Sequence, residues 1–224
     1  MLVSMVAVTT GPAPPVPVEW WDRFEPPAGY RAEVIRGELV VVPAPSNAHQ
    51  YATGELFAAL RAAVAAFSDD YAVLPGGAWQ LAERGLVAQA PQPDVVVRRW
   101  DGPEIPDGTP LLAVEVLSPS DGARLNEGMT CIEGKRLDCA AHGLTDYLEI
   151  EPYGDGFTAR RYELVDGSLA LVDAVGVGAV MIAARPFPYE VHLANLVRKR
   201  PGRRGDESGG ADAGRPAGPG RPQG

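Results

Sequence analysis

The pattern of hydrophobic and polar positions predicts a β-rich chain with two helices. Short runs of β-branched and apolar residues, bounded by Gly, Pro and Asp, are typical of strands. We expect strands at residues 31–36, 39–42, 71–74, 78–81, 86–90, 95–97, 111–117, 147–151, 158–164 and 169–175. Gly37-Glu38 predicts a hairpin between the first two strands, and Asp166-Gly167 predicts one between the last two.

Two segments show helical spacing instead of alternation. Residues 49 to about 67 follow a candidate N-cap, Ser46, and their apolar side chains recur every three or four positions. The buried face of this helix is expected to contain Leu56, Phe57, Leu60 and Val64. A second helix is expected at residues 132–142, ended by Gly143 in the left-handed conformation.

The run LLAVEVL at residues 111–117 is almost continuously apolar, which is typical of a strand covered on both faces. The elements follow in the order hairpin, long helix, central strands, helix and further strands. This order predicts an α/β fold in which a mixed central β-sheet is flanked by helices and preceded by an N-terminal β-hairpin.

The two ends of the chain differ from the middle in composition. Residues 9–18 contain four prolines, and residues 201–224 contain eight Gly and four Pro but no aromatic residue, Leu, Ile or Val. Such segments bury too little apolar surface to offset the entropy of ordering. We therefore expect a flexible Pro-rich N-terminus at 1–17, one folded domain at 18–197 and a disordered basic tail at 198–224.

The charge of the chain divides in the same places. The net charge is −9, but residues 1–197 carry 13 basic and 26 acidic side chains, whereas the tail carries seven basic and three acidic ones. An acidic domain repels polyanions over most of its surface, so any contact with nucleic acid has to be local. The basic tail is open to two interpretations, a phosphate contact or a solubilising segment.

Composition also limits the class of protein. Two Cys in 224 residues do not make a disulfide framework, so reduced thiols and a cytoplasmic location are expected. No apolar run approaches the ~20 residues that span a bilayer, so no membrane association is expected. Apolar residues make up 46% of the chain, which is enough for a packed core.

Glu115 breaks the apolar pattern of the 111–117 run. An ionised carboxylate in a covered strand is costly unless it is paired or binds a cation. Two structural explanations remain open: an exposed edge strand, or an ion pair with a core arginine such as Arg98 or Arg160. The functional explanation is a cation site.

Two further residues bear on that explanation. Asp94 stands directly before the apolar strand at 95–97, where Asp is also a common turn residue. Lys135 lies on the partly apolar face of the second helix, where a Lys either turns inward or extends its ammonium to water. Two carboxylates and one ammonium can hold a Mg²⁺ ion and a water beside a phosphodiester.

His49 and the thiols have alternative interpretations. His49 either orients a phosphate or carboxylate from the first turn of the long helix or is structural. Cys131, Cys139 and His142 are candidate soft metal ligands, but a structural zinc site usually has two closely spaced pairs. Buried reduced thiols are the better explanation.

Together the motifs resemble the PD-(D/E)XK nuclease superfamily. The motifs are PD at 93–94, EVLSPSD at 115–121, Lys135 and Gly143, with EVIRGEL at 33–39, residues 46–49 and YLEIE at 147–151. Within the superfamily, the chain is similar to a bacterial family of restriction endonuclease-like proteins whose roles are largely unassigned. The resemblance covers roughly residues 30–152 and implies a restriction-endonuclease-like core.

The resemblance also implies a site. It assigns Asp94, Glu115 and the main-chain carbonyl of Val116 as metal ligands. It assigns Lys135 to support the attacking water or the transition state. The superfamily usually has its Lys two residues after the Glu, where this chain has Leu117, and in this family the Lys moves to the following helix. The secondary candidates are Glu33, as a further carboxylate near the metal, and His49.

On this basis the chain is expected to be a Mg²⁺- or Mn²⁺-dependent DNA endonuclease that hydrolyses phosphodiester bonds. DNA is then the expected partner, and a homodimer is an open option. The alternative is a catalytically silent nuclease-like fold that acts as a nucleic-acid or protein binding module. The acidic domain and the displaced Lys135 keep that alternative open.

Overall fold

A computed structural model of the protein describes residues 16–76, 81–83, 85–100, 102, 108–125, 128–153 and 156–197. Most of the predicted flexible N-terminus (1–15), the predicted tail (198–224) and residues 78–80 of a predicted strand lie outside the described residues. Val16 and Pro17 are predicted to belong to the flexible N-terminus, but they form a strand, and Val16 is buried. The folded region therefore begins no later than Val16.

Strands outnumber helices in the described chain. The strands are β1 (Val16–Pro17), β2 (Tyr30–Ile35), β3 (Glu38–Pro43), β4 (Tyr71–Pro75), β5 (Leu81–Glu83), β6 (Leu86–Gln89), β7 (Val95–Arg99), β8 (Leu112–Val116), β9 (Asp146–Tyr153), β10 (Gly156–Val165), β11 (Ser168–Val175), β12 (Val180–Ala183) and β13 (Tyr189–His192). The helices are α1 (Val18–Trp21), α2 (Asn47–Phe67) and α3 (Cys131–Ala141), with 3₁₀ turns at Pro119–Gly122 and Leu193–Leu196. These elements confirm a mixed α/β fold.

The largest sheet of the described residues has six strands in the order β11-β10-β9-β8-β7-β4. β8 and β9 are parallel, whereas the other neighbouring pairs are antiparallel. β8 lies inside the sheet and all of its residues are buried, as its apolar run predicts. The sheet confirms the predicted mixed central sheet, with mostly antiparallel strands.

Helix α2 packs against the central sheet through one apolar face. Ser46 caps the helix, since its Oγ accepts a hydrogen bond from the His49 N–H at 3.2 Å. Its buried residues are His49, Ala52, Leu56, Leu60 and Val64. Phe57, which the sequence analysis places on the buried face, is only partly buried. Within the described ranges, no helix has the length and apolarity needed to cross a membrane.

Strands β2 and β3 form the predicted hairpin, which is a separate two-stranded sheet. Its turn lies at Arg36-Gly37, one residue before the predicted Gly37-Glu38, and both residues have positive φ, 54° and 76°. Such a turn matches the right-handed twist of the flanking strands. Asp138 of α3 accepts a hydrogen bond from the Arg36 N–H at 2.8 Å, which attaches the hairpin to α3.

The structure also differs from the predicted elements among its short strands. Of the strand predicted at 78–81 only Leu81 is described, as the first residue of β5, and the strand predicted at 86–90 corresponds to β6. Strands β5 and β6 form a separate sheet with β1. Strands β12 and β13 are absent from the prediction, because four-residue strands contain too little alternation to be distinguished. In β12, Met181 and Ala183 are nevertheless buried and Ile182 is exposed, so the strand closes one side of the core.

Candidate active site

Glu115 lies at the centre of the main sheet. It is 1% exposed on β8, and Glu149 of β9 is its register partner. Both structural explanations of Glu115 are wrong. β8 is not an edge strand, and the residue that contacts the Glu115 carboxylate is Lys135, not an arginine. Arg98 and Arg160 have other partners.

Asp94 precedes β7 and lies on the same face of the sheet as Glu115. Val95 pairs with Val114 in the antiparallel register, so position 94 lies opposite position 115. The Oδ2 atom of Asp94 accepts a hydrogen bond from the Val116 N–H at 2.8 Å. This bond holds the Asp94 carboxylate beside the end of β8.

Helix α3 places the Lys135 ammonium among buried carboxylates. The distances from Nζ are 3.0 Å to Glu33 Oε2, 3.3 Å to Glu115 Oε1 and 3.3 Å to Asp121 Oδ1. Lys135 is 3% exposed, so the interpretation in which its ammonium extends to water is wrong. The carboxylates come from β2, β8 and the 3₁₀ turn after β8. We call these four side chains the lysine cluster.

Gly134 allows α3 to approach the hairpin this closely. A Cβ atom at position 134 would lie 2.7 Å from Leu125 Cδ1 and 2.8 Å from Ile35 Cγ2. Both distances are well below the ~3.5–4.0 Å of an ordinary carbon contact. The missing side chain therefore lets β2 and α3 pack tightly enough for Glu33 to reach Lys135.

Burial and neighbouring charges shift the ionisable groups of the lysine cluster in different directions. Burial raises the pKa of Glu115 well above its usual range; the Lys135 ammonium opposes this shift, and nearby carboxylates add to it. Burial also disfavours ionised Asp121, but Lys135 and hydrogen bonds from Ser118 lower the pKa of Asp121 overall. Burial alone would lower the pKa of Lys135, yet the surrounding carboxylates raise it well above its usual value. Glu115 thus holds a proton more readily than Asp121 does.

His49 connects α2 to the two predicted ligand oxygens beside β8. Its Nε2 lies 2.7 Å from the Val116 carbonyl oxygen and 3.2 Å from Asp94 Oδ2. Its Nδ1 lies 3.4 Å from Thr53 Oγ1, one helical turn further along α2. The main-chain carbonyl of Val116 and the Asp94 carboxylate therefore both face His49 Nε2.

Arg31 and Asp121 are two residues of the site that the sequence motifs did not predict. Arg31 lies between carboxylates, with Nη1 3.5 Å from Asp94 Oδ1 and Nε 3.5 Å from Glu33 Oε1. Asp121 accepts a hydrogen bond from the Ser118 N–H at 2.8 Å. Two signals pointed to them: the capping pattern S-x-x-D at 118–121, and the spacing of two that puts 31 and 33 on one face of β2.

The donor atoms present would suit a hard divalent cation. Asp94, Glu115 and Val116 offer two carboxylates and a carbonyl, and Mg²⁺ typically takes one or two protein carboxylates and keeps several waters. The Asp94 and Val116 oxygens both face His49 Nε2, so a cation held by them would lie beside that nitrogen. Among the described residues, no three His, Cys, Asp or Glu side chains are arranged to hold a metal ion. A cation here would therefore have two carboxylates and one carbonyl as protein ligands, and not a closed cage of side chains.

Arg136, the residue after Lys135, belongs to a separate cluster with Glu149 and Tyr162. Its Nη1 lies 3.2 Å from Glu149 Oε1 and donates to the Tyr162 hydroxyl at 2.7 Å. The Tyr162 hydroxyl in turn donates to Glu149 Oε2 at 3.0 Å. The guanidinium carbon also lies 5.1 Å from the Tyr162 ring centroid. This arginine cluster connects α3 to β9 and β10.

The thiols are buried and not bonded to each other. Burial raises the pKa of Cys131 to about 11, and it raises the pKa of Cys139 as well. A metal ligand has to be a thiolate, which burial of this kind disfavours. The structure therefore supports buried reduced thiols and not the soft-metal interpretation.

A cavity of about 760 Å³ opens beside the site. Arg31, His49 and Val116 line it, and all three contact Asp94. Asp94 and Glu115 do not line the cavity, and they are 7% and 1% exposed. The candidate carboxylates therefore lie directly behind the cavity wall.

Comparisons with known proteins identify a family and a fold. The model of the Uma2 family, described as "Putative restriction endonuclease", matches residues 19–195. Among solved structures, the chain is similar to a protein from Anabaena variabilis ATCC 29413, described as "a putative nuclease belonging to DUF820". The two share 17% sequence identity with a TM-score of 0.58, over 81% of this chain and 97% of that chain, which establishes a common fold. No curated protein matches the chain.

Proposed function

The chain belongs to the Uma2 family, and from this premise we propose that it is a metal-dependent endonuclease that hydrolyses phosphodiester bonds in DNA. The family description and the nuclease-like fold support the hydrolytic part of the proposal. The observation that carries it is the lysine cluster beside Asp94. One buried ammonium there faces three carboxylates, and a fourth carboxylate lies next to them.

In the proposed site, Asp94, Glu115 and the Val116 carbonyl would hold a Mg²⁺ or Mn²⁺ ion. Such an ion lowers the pKa of a bound water and neutralises charge that develops on a phosphate. The Val116 N–H orients Asp94, and His49 holds the Val116 carbonyl. Burial raises the pKa of Glu115, so its ionised form is costly without a cation, and a bound cation would favour the ionised form.

Lys135 supplies a compact positive charge to the same site. Its ammonium lies 3.3 Å from the Glu115 carboxylate, so it can donate to a water or phosphate oxygen placed beside that carboxylate. The other lysine of the chain, Lys199, lies outside the described residues. Arg31 lines the cavity and contacts Asp94, and its guanidinium would bind the phosphate that enters from the cavity.

Cleavage of supercoiled plasmid and of single-stranded circular DNA tests the proposal. The full chain is assayed with Mg²⁺ or Mn²⁺ as wild type, Asp94→Asn and the control Asp69→Asn. Asp69 is exposed and follows the C-terminal end of α2, about 30 Å from the end that carries His49. We expect Asp94→Asn to slow cleavage by at least ~10²-fold, the scale of losing one electrostatic group, and Asp69→Asn to leave it unchanged.

Metal binding is measured separately through the melting temperature. A ligand that binds only the folded state stabilises it by about 2.7 kcal/mol at a hundredfold excess over Kd. We expect Mg²⁺ or Mn²⁺ to raise the melting temperature of wild type and Asp69→Asn but not of Asp94→Asn. An equal shift in all three proteins would place the ion elsewhere and contradict the proposed ligands.

One observation favours the alternative of a catalytically silent nuclease-like fold that binds nucleic acid or protein. Asp94, Glu115 and Lys135 are all buried, and none of them lines the large cavity. A silent fold predicts no metal-dependent cleavage and no metal shift that depends on Asp94. The two assays above therefore separate the alternatives.

A further inference from the structure

The large cavity beside the candidate site has mostly apolar walls. Its volume of about 760 Å³ lies within the range of sites that enclose a small organic molecule. The walls come from β2, the end of β3 and the segment that follows it, the first turn of α2, the end of β8 and the segment after it, and β9 and β10. The main apolar lining residues are Pro43, Pro45, Leu117, Pro119, Pro152 and Phe157.

One end of the cavity is polar and adjoins the candidate catalytic residues. His49 and Arg31 line this end and contact Asp94 at 3.2 Å and 3.5 Å, and Val116, the last residue of β8, lines the cavity as well. A ligand that fills the cavity would therefore place a polar group near Asp94 and an apolar group between the walls. A nucleotide has this division, with a phosphate at one end and a flat base at the other.

The charge of the cavity argues against a paired duplex as the ligand. Among the described residues that line it, Arg31 is the single cation, and none is acidic. Residues 1–197 carry a net charge of −13. Proteins that bind duplex DNA neutralise many phosphates with Lys and Arg, and this surface offers few. Paired bases are stacked inside the duplex and cannot contact apolar walls, whereas an unpaired base exposes both of its faces.

We infer that the cavity receives an unpaired nucleobase and that the substrate is single-stranded DNA. The inference rests on the proposed function and adds its substrate class. Apolar contact with the base then supplies the affinity that the acidic surface does not supply through phosphates.

Binding to oligonucleotides in the absence of divalent metal tests the inference. Fluorescence anisotropy of the full chain at physiological ionic strength compares one labelled sequence as a single strand, as a duplex and as a single strand with abasic sites. We expect the intact single strand to bind about tenfold more tightly than either of the others, the scale of stacking one base. The abasic strand keeps the phosphates, so contacts from the basic tail are equal in that comparison. Equal binding of the intact and abasic strands, or tighter binding of the duplex, would overturn the inference.

A pair of variants places the binding in the cavity. Ala48→Glu puts a carboxylate in the cavity wall, whereas Gln50→Glu puts the same charge in the same turn of α2, and Gln50 does not line the cavity. Both positions are exposed, and acidic residues near a helix N-terminus are stabilising, so neither variant should unfold. We expect Ala48→Glu to weaken single-strand binding about tenfold and Gln50→Glu to leave it nearly unchanged. Equal effects of the two variants would overturn the assignment to the cavity.

Single-stranded RNA of the same sequence is the last probe. Weaker binding of RNA supports the assignment to DNA, and equal or tighter binding of RNA overturns it. Because binding is measured without metal, the inference can hold when cleavage fails and can fail when cleavage succeeds. Failure of the binding experiment is therefore distinguishable from failure of the proposed cleavage activity.

Discussion

Lys135 and Arg136 are adjacent on α3, yet the clusters that they join differ in charge balance. In the arginine cluster, one guanidinium meets one carboxylate, and the Tyr162 hydroxyl adds a hydrogen bond to each. In the lysine cluster, one ammonium meets three carboxylates. The two clusters are neighbours in the sheet as well, because Glu115 and Glu149 are register partners on β8 and β9.

The difference in charge balance indicates that the two clusters have different roles. A paired charge with satisfied hydrogen bonds is sufficient to hold a helix on a sheet. Three buried carboxylates around one ammonium are more than helix packing requires, and burial makes their excess charge costly. Such an excess is useful where a further cation is to be bound. We therefore expect the lysine cluster to govern activity and the arginine cluster to govern the position of α3.

Removing each cation in turn tests this division most strongly. Lys135→Met should slow DNA cleavage by roughly 10²–10³-fold, because it removes one electrostatic donor from the site. Arg136→Met removes the neighbouring cation with the same new side chain and should slow cleavage less than about tenfold. Rates are measured below the melting temperature of both variants, with circular dichroism as the control for folding. Equal losses would mean that the two clusters do not differ in function.

Opposite effects on stability should appear within the lysine cluster. The pKa of Asp121 is lowered in the folded state, so its ionised form stabilises the protein above the unfolded pKa, and this stabilisation is lost as the pH falls through the folded pKa. Asp121→Asn should therefore cost about 1.5–3 kcal/mol at neutral pH, the scale of hydrogen bonds to a charged group. The pKa of Glu115 is raised, so its ionised form destabilises the protein as the pH rises through that folded pKa.

Glu115→Gln should accordingly raise the melting temperature at neutral pH without metal, and the gain should disappear in acid. Melting temperatures of wild type and both variants across a pH series check the two signs. A decrease for Glu115→Gln at neutral pH would contradict the view that the lysine cluster carries excess negative charge.

Two glycine substitutions, one in each long helix, test whether the lysine cluster depends on the close packing of α3. Gly134→Ala introduces a Cβ that would overlap Ile35 and Leu125, and overpacking of this kind costs about 1–3 kcal/mol. Gly54→Ala in α2 has no atom within 4 Å of the new Cβ and should stabilise by about 0.5–1 kcal/mol. Urea unfolding measures both changes. Cleavage should fall with Gly134→Ala alone, because only that change displaces Lys135 from Glu33.

The smallest effect is expected in the arginine cluster. Tyr162→Phe removes the hydroxyl that bonds to Arg136 and Glu149 but keeps the ring, so it should cost about 1 kcal/mol of stability. Cleavage and the metal-induced melting shift should remain those of wild type. A loss of the metal shift would show that the arginine cluster contributes to the cation site.

Local patterns predicted the main elements of the fold. Periodicity was sufficient for the hairpin, α2, β7 to β11 and α3, because each has enough residues to show its spacing. It was insufficient for β12 and β13 and for the separate sheet formed by β1, β6 and β5. The pairing of these short strands depends on long-range contacts that no local pattern records.

The candidate site was predictable where a residue broke a strong pattern. Glu115 interrupts an apolar strand, and the structure brings Asp94 and Lys135 to it, while their chemical roles stay predictions. Arg31 and Asp121 were missed because their inward position depends on how the hairpin and the 3₁₀ turn pack against β8. The arginine cluster was missed for the same reason, since its members lie on α3, β9 and β10.

Val116 contributes to the site through its peptide group alone. Its N–H bonds to Asp94 and its carbonyl to His49, while its side chain packs in the apolar core. Side-chain substitution at 116 leaves both peptide atoms in place, except that Pro would remove the N–H. A mutational scan would therefore score this position by volume and hydrophobicity and classify it as core. Its chemical role depends on the register of β8 and not on which amino acid occupies position 116.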